Sequence, residues 1–504
     1  MNKHTYPNER KLFRRQDARA LDQQTISYAE IDARTLMEVA GAGAAAEIRH
    51  RIRAAQPVVV MCGKGNNGGD SLVVARFLVS NGHQVAVYLC DNPDTFSADT
   101  TANLSLLERL RNDGNYSLNI VPFSNENFHV PADSILIDGL LGTGLQDSVR
   151  EPLDGIIRRM NATGVPIFAL DIPSGLDADT GLILGHAVRA QCTLCMGTLK
   201  LGLYLNDGPS LRGEVVRIDL GFPAHLHEDI KIWLLDPDWI PETVNSRPFR
   251  KHKYDQDVVY IVGGSSGLSG AVVLAARAAW STGVGAVIVI SPGAIVPALE
   301  KHLITEIKVG VGSGKTLYFE HAHTETVLKI VNQRPGTVLL GPGIGVEPQT
   351  AEFVREFLGS YTGRLVLDAD ALRMIPSGHT FSQQAILTPH PGELNFLTKS
   401  VSDQPEVRLQ KAHQLAADMQ ATVLSKGMPV VICDKFGNSL VTGYETRHFS
   451  RAGFGDILAG KTTGFFAQSG EDNLSCVRAL FDGKTKLEMA LTRGVTTPEP
   501  LDIL

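Results

Sequence analysis

Three oxygen-rich clusters stand in the first half of this 504-residue chain, each directly after a run of β-forming residues. They are Asn66-Asn67-Gly68-Gly69-Asp70, then Asp138 with Gly139-Leu140-Leu141-Gly142-Thr143-Gly144-Leu145, and then Asp171-Ile172-Pro173-Ser174-Gly175-Leu176-Asp177. In a parallel sheet all three fall along one rim, the edge at which ligands bind. Asn67, Asp138 and Ser174 then offer an amide oxygen, a carboxylate and a hydroxyl. Such a hard-oxygen set of low charge suits a monovalent cation better than zinc, which favours His and Cys. Each acid taken alone also reads as a helix or turn cap; three together, each flanked by glycine, favour a site. Gly63, Gly65 and Gly68 satisfy a dinucleotide fingerprint between strand Val58–Cys62 and a helical stretch from Ser71 to Ser80. Asp70, placed at the first turn of that helix, would repel phosphate, so the turn is not expected to be an ordinary nicotinamide-cofactor site.

The second half carries glycine turns of another kind. Gly263-Gly264-Ser265-Ser266-Gly267 and Gly341-Pro342-Gly343-Ile344-Gly345 each follow a β-like run and supply bare backbone N–H groups for an anion or nucleotide. Ala452-Gly453-Phe454-Gly455-Asp456 precedes an apolar helical run. An anion hole at a helix start, with an acid able to take a hydroxyl proton, is the arrangement for phosphoryl transfer to an alcohol; a plain helix cap is the alternative. Lys426-Gly427, after strand Thr422–Ser425, is placed to meet a nucleotide. Gly312-Ser313-Gly314-Lys315-Thr316 imitates a P-loop, but Val309 stands where its first glycine belongs, and no apolar strand is expected before it.

Positioning these groups requires alternating strands and helices. Val58–Cys62, Val85–Leu89, 135–138, 167–171 and 215–219 form one series; Val258–Val262, 286–290, 338–340, 365–368, Ala385–Leu387 and 430–433 form another. Two mostly parallel α/β sheets follow. Prolines at 223, 237, 241 and 248 and the basic run 250–253 mark the break, giving domains 1–225 and 252–504 joined by a linker over 226–251. Hydrophobic content of 43%, charged content of 20% and a net charge of -7 suit a soluble globular protein and argue against nonspecific nucleic-acid binding. Six cysteines do not make a disulfide framework, and Cys192 and Cys195 read as core residues within a strand-like run. The polar start and the strand-sized apolar runs give no signal peptide or membrane span, so a cytoplasmic homo-oligomer with no membrane partner is expected.

The first-half motifs, with Leu36-Met37-Glu38-Val39-Ala40-Gly41, resemble the NAD(P)H-hydrate epimerase domain over roughly residues 17–219. The resemblance implies a Rossmann-like three-layer αβα fold. It also implies interconversion of R- and S-NAD(P)HX, the nicotinamide cofactors hydrated at C6. Carried over by motif, Asn66, Asn67, Gly68, Gly69 and Asp70, with Gly142, Thr143, Gly144, Leu145, Gln146, Asp147 and Ser148, contact substrate. Asn67, Asp138 and Ser174 hold K+, Asp171 is the acid/base group, and Lys200 neutralises phosphate or is merely solvated.

The second-half motifs, with Leu-Asp-Ala-Asp-Ala-Leu at 367–372 and Thr-Pro-His-Pro-Gly-Glu at 388–393, resemble the ADP-dependent NAD(P)H-hydrate dehydratase. That family has a ribokinase-like α/β fold. The resemblance implies transfer of the ADP β-phosphoryl group to the C6 hydroxyl with Asp456 as base and Mg2+ at the site. Loss of phosphate then gives NAD(P)H and AMP. Ala271, Gly343, Gly345, His390 and Asp456 are implied to bind the hydrate; Lys426, Gly427, Met428, Pro429, Val430 and Gly455 are implied to bind ADP or AMP. The fusion of both halves is similar to the bifunctional bacterial nicotinamide-nucleotide repair proteins. Departures from the dehydratase pattern at Ala452, Phe454, Pro429 and beyond Cys476 leave a weakened second activity as one alternative. A ribokinase-like small-molecule kinase is the other for the second half, and a non-catalytic binding module for the first.

Overall fold

The computed structural model describes residues 7–236, 257–400, 405–444 and 447–504. It divides into two compact units, Met1–Leu234 and Leu235–Leu504. Most of the expected linker, 237–251, lies outside the described residues; its described start holds a 3-10 turn, Ala224–His227, and a strand, Ile232–Leu235.

The first unit is a seven-stranded parallel sheet in the order Leu118–Pro122, Val85–Leu89, Val58–Cys62, Ile135–Gly139, Ile167–Leu170, Cys192–Met196, Glu214–Ile218. Strands buried on both faces read as continuous apolar runs, which is why Val58–Cys62 shows no polar alternation. Val58, Val60 and Cys62 face a core shared with helices Ala33–Arg51, Asn66–Ser80 and Ala98–Asn112, whereas Val59 and Met61 face helix Leu153–Ala162. The three layers expected from the resemblance are therefore present. Cys192 and Cys195 are buried and unpaired in their strand, as the core reading requires.

The chain starts this sheet at Val58–Cys62, builds outward through two strands, then returns to the other side at Ile135–Gly139. That reversal makes a crevice beyond the ends of these two strands. Glycine is obligatory there. A Cβ on Gly63 would lie 2.0 Å from the Leu140 carbonyl oxygen, and one on Gly68 would lie 1.9 Å from that of Gly63.

Helix Asn66–Ser80 starts directly after Gly65, five residues earlier than the expected start at Ser71. Asn and Gly disfavour helix, but close packing of Gly68 on Gly63 overrides propensity here. Asp70 is consequently the fifth helical residue, not a first-turn acid. The first-turn amides of Asn66 and Asn67 lack intrahelical partners, and Asp70 stands one turn behind them while still lining the same crevice.

The strands of the second unit are ordered Ser439–Thr442, Val431–Cys433, Thr422–Ser425, Ala385–Leu387, Arg364–Leu367, Gly336–Leu340, Val258–Val262, Ala286–Pro292, Ile307–Val311. Val431–Cys433 runs antiparallel to both its neighbours, and the other described pairings are parallel. Strand order reverses between Val258–Val262 and Gly336–Leu340, where the Gly264 N–H donates to the Pro342 carbonyl at 2.8 Å. Contrary to expectation, a strand does lead into Gly312-Ser313-Gly314-Lys315-Thr316. It was missed because Lys308 and Gly310 break its apolar pattern. The segment still forms no P-loop, since the Ser313 N–H closes a turn onto Thr316 Oγ1 at 2.9 Å and no helix follows directly.

Gly65 has φ −87° and open space where a Cβ would stand. Gly68→Ala is expected to lower stability by ~3 kcal/mol or more through overpacking against backbone, and Gly65→Ala to leave it nearly unchanged. Urea unfolding of the two variants against wild type checks this.

Candidate functional site

A cavity of about 900 Å³ opens at the crevice of the first sheet. Asn66, Asn67, Asp70, the loop 142–148, Asp171 and Lys200 line it together, as the sequence motifs anticipated. Gly68 and Gly69 do not; they let the helix pack beneath it. Asp138 and Ser174 are buried and also absent from the lining.

Hydrogen bonds nevertheless join Asn67, Asp138 and Ser174. Ser174 Oγ donates to Asp138 Oδ1 at 2.6 Å, and its N–H to Oδ2 at 2.8 Å. The Leu141 N–H donates to Ser174 Oγ at 2.8 Å, and Asn67 Nδ2 donates to the Leu141 carbonyl at 3.0 Å. Asn67 Oδ1 is buried with no hydrogen-bond donor. A buried orphan acceptor is costly, and a cation would satisfy it. Burial pushes the Asp138 carboxyl up to about 6, against the opposing bonds from Ser174 and Leu140; a neighbouring cation favours the ionised form. Among the described residues no cluster of His, Cys, Asp and Glu suits a transition metal.

Asp171 occupies the left-handed region at φ 65°, a conformation that a non-glycine residue adopts at a cost. What holds it is the Lys200 ammonium, paired with Asp171 Oδ1, together with the Met196 N–H, 3.2 Å from the same oxygen. Lys200 is 2% exposed, and its remaining bonds go to the carbonyls of Met196 and Thr198 at 3.2 and 3.0 Å. All three of its protons are engaged. The expected phosphate contact, and the solvated alternative, are therefore both replaced by a positioning role: Lys200 orients Asp171. Burial pulls Lys200 down, but Asp171 and other nearby acids outweigh it, so its ammonium sits above the ordinary value. Asp70 is pushed well above the carboxylate range, by burial first and then by Asp171 and Asp22.

Asp22, on helix Arg15–Ala29, also lines this cavity and was passed over in the sequence. Ala18, Leu21 and Thr25 form the buried stripe of that helix. An acid at the margin of such a stripe was the available signal.

The cavity of the second unit encloses about 540 Å³. His390, Lys426, Gly427, Met428, Val430, Gly455 and Asp456 line it, with Asp368 and Glu393. Ala271, Gly343, Gly345 and Pro429 do not. Gly343 instead meets Ala271 at the strand reversal, and its carbonyl accepts from Ser265 Oγ at 2.9 Å. Gly453, at φ 89°, caps helix Phe454–Ser469 and sets Asp456 as its third residue. Burial pushes Asp456 up to about 7; Asp368 adds to this and Lys426 opposes it. Lys426 is ion-paired with buried Asp368, which also accepts from Thr388 Oγ1 at 2.7 Å. His390 Nδ1 accepts from the Gly392 N–H at 3.0 Å, which leaves Nε2, 3.3 Å from Glu393, to carry the ring proton. An ordered, cap-locked imidazole thus stands at the cavity lining.

Comparison with known proteins separates the alternatives left by these geometries. Residues 33–202 match the family described as YjeF-related protein N-terminus, and residues 259–503 match NAD(P)H-hydrate dehydratase. The chain is 36% identical over 477 residues to the bifunctional NAD(P)H-hydrate repair enzyme Nnr of Salinibacter ruber, covering 89% of this chain and 86% of that protein. The chain belongs to the family of bifunctional NAD(P)H-hydrate repair enzymes. The Nnr protein of Methanothermobacter thermautotrophicus is 31% identical, covering 95% of this chain and 92% of its own. A solved structure of ADP/ATP-dependent NAD(P)H-hydrate dehydratase from Bacillus subtilis, co-crystallised with ATP and Mg2+, aligns at 21% identity with a TM-score of 0.44. It covers 53% of this chain and 94% of that one. No helix among the described residues is long and apolar enough to cross a membrane.

Two outcomes follow for this repair enzyme. Lys200→Met leaves Asp171 without its cation and is expected to cut the epimerase kcat by ~100-fold or more, read by chromatographic separation of R and S hydrates. Asp368→Asn removes the charge that helps raise Asp456. On the base role that the resemblance implies for Asp456, the activity limb near pH 7 should then move to lower pH, by about one unit. A kcat/KM profile from pH 5 to 9 measures it.

Proposed function

We propose that the first unit inverts C6 of hydrated NADH and NADPH and the second dehydrates the S form at the expense of ADP, within domains 1–225 and 252–504. What supports this best is that each cavity sets an acid–lysine couple beside a second acid of raised proton affinity, Asp171–Lys200 beside Asp70 and Asp368–Lys426 beside Asp456. Both reactions move protons at a single hydroxyl-bearing carbon and need acids of differing proton affinity.

In the first cavity the open amides of Asn66 and Asn67 and the loop 142–148 bind the nucleotide, and Asp171 exchanges protons at C6. Asn67, Asp138 and Ser174 would hold K+, which would supply positive charge beside the substrate's anionic groups. In the second cavity Asp456 takes the C6 hydroxyl proton as that oxygen accepts the β-phosphoryl group of ADP, and AMP departs. Phosphorylation makes the C6 oxygen a good leaving group. Loss of phosphate from C6, with a proton from C5, restores the dihydronicotinamide ring. Lys426, Gly427, Met428, Val430 and Gly455 serve the nucleotide, and His390 and Asp456 the hydrate. Asp368 and Glu393 are hard-oxygen donors in the same lining and fit Mg2+ carried on the ADP phosphates, where it would neutralise charge. Ala271, Gly343 and Gly345 serve the hydrate only if it reaches beyond the cavity to the neighbouring strand reversal.

Purified R- and S-NADHX, each incubated with and without ADP, test both halves. NADH absorbance should rise with S hydrate and ADP, matched by one AMP and one phosphate each. R hydrate should be consumed only by way of S. Failure to use R while S is consumed would remove the epimerase reading, and NADH formation independent of ADP would remove the dehydratase reading. Asn67→Ala is expected to need about 10–100-fold more K+ for half-maximal epimerisation, measured by titrating KCl into a K+-free buffer.

A further inference from the structure

Asp22 enters the epimerase cavity from helix Arg15–Ala29, an element that none of the sequence motifs touches. It shares the lining with Asp70, Asp171 and Lys200. Asp171 Oδ1 is committed to Lys200 and the Met196 N–H, whereas no hydrogen bond from the protein holds the Asp22 carboxyl among the described contacts. A free carboxyl in a cavity that also holds Asp70 and Asp171 is poorly placed for stability. It is well placed for a proton.

Inversion at C6 needs two proton-transfer groups, since oxygen must leave one face of the carbon and return on the other. One acid anchored by a lysine cannot serve both faces without moving. We propose that Asp22 is a second catalytic acid–base residue of the epimerase, working with Asp171. The proposal rests on the epimerase reading of this unit.

Protonated Asp22 gives its proton to the C6 hydroxyl, the C6–O bond breaks with its electron pair, and water leaves. The N1 lone pair closes a C6–N1 double bond, so the ring carries the positive charge. Water then adds to the opposite face and gives its extra proton to the Asp171 carboxylate. The reverse inversion runs with the two acids exchanged, and no oxidant or co-reactant is used.

The surroundings of Asp22 support this division. Burial pushes its carboxyl up to about 6, Lys200 opposes the rise and Asp171 adds to it. Asp70 faces the same cluster and feels Asp22 in turn, and Arg19 lines the cavity from the same helix. A group raised to about 6 carries its proton below that value and loses it above. In the direction that uses Asp22 as acid, kcat/KM should therefore fall up to tenfold per pH unit once pH passes about 6.

Asp22→Asn and Asp22→Glu, assayed in the full chain from pH 5 to 8.5, test the proposal. ADP-dependent dehydration of S hydrate by the other unit calibrates the amount of active enzyme. The expected result is a loss of ~100-fold or more in epimerase kcat for Asp22→Asn, disappearance of the limb near pH 6, and partial rescue by Asp22→Glu. Wild-type kcat in Asp22→Asn would overturn the proposal. So would an equal loss in both variants without rescue, or a reduced rate that keeps the wild-type pH profile. If wild-type enzyme itself fails to interconvert the hydrates, the epimerase reading falls instead.

Discussion

An acid at the carboxyl end of a parallel strand, ion-paired with one lysine so that at least one partner is buried, organises both cavities. Asp171 with Lys200 does this in the first unit and Asp368 with Lys426 in the second. Removing one member of such a pair leaves an uncompensated buried charge, which is strongly unfavourable. Each pair is therefore a fixed point, and the remaining acids must adjust to it. Asp70 and Asp22 rise in one cavity and Asp456 rises in the other, because burial disfavours their charged forms, a neighbouring acid adds to this, and the paired lysine only partly opposes it. Acids pushed apart in proton affinity are what proton-transfer chemistry near neutral pH requires.

The backbone carries the same constraint. Asp171 has φ 65° and Ala369, immediately after Asp368, has φ 52°. Neither is glycine, so neither conformation comes from local preference. Strain of this kind persists where surrounding structure over-determines it. At Asp171 the ion pair and the Met196 N–H supply that restraint. At Asp368 the lysine and the Thr388 hydroxyl supply it. Ordinary turns would point these acids elsewhere.

Much of this was legible in residue order. Apolar runs ending in Asp or Gly located the central strands of both sheets, since doubly buried strands need no polar alternation. Asn67, Asp138 and Ser174, grouped in the sequence because each stands at the end of such a strand, are linked by hydrogen bonds. Strand Ile307–Val311 was not legible: it lies at the sheet's edge, where only Val311 is deeply buried. Helix Asn66–Ser80 was placed five residues late because its start consists of residues that disfavour helix and are held by the close approach of Gly68 to the Gly63 backbone. Lys200 was misread for a related reason. A lysine in an apolar setting gives no sign of its partner, and Asp171 lies twenty-nine residues away. Asp22 has no motif at all, and only the closing of its helix over the cavity reveals it. Ala271, Gly343 and Gly345 form a cluster of their own, because the strand reversal and the Asp456 cavity lie at different strand ends of one wide sheet.

The two helix starts show how one ligand calls for two chemistries. Helix Asn66–Ser80 begins after Gly65 and carries its acid at the fifth residue, whereas helix Phe454–Ser469 begins after Gly453 and carries its acid at the third. An acid one turn inside leaves the first amides free for a nucleotide's phosphates while it takes part in the proton field of the cavity. An acid within the first turn lies beside the amides themselves, next to whatever anion they hold. That placement suits a carboxylate that must draw a proton from an alcohol while phosphate approaches it. On the proposed roles of the two units, the offset of two residues is what distinguishes a water-exchanging helix start from a phosphate-transferring one.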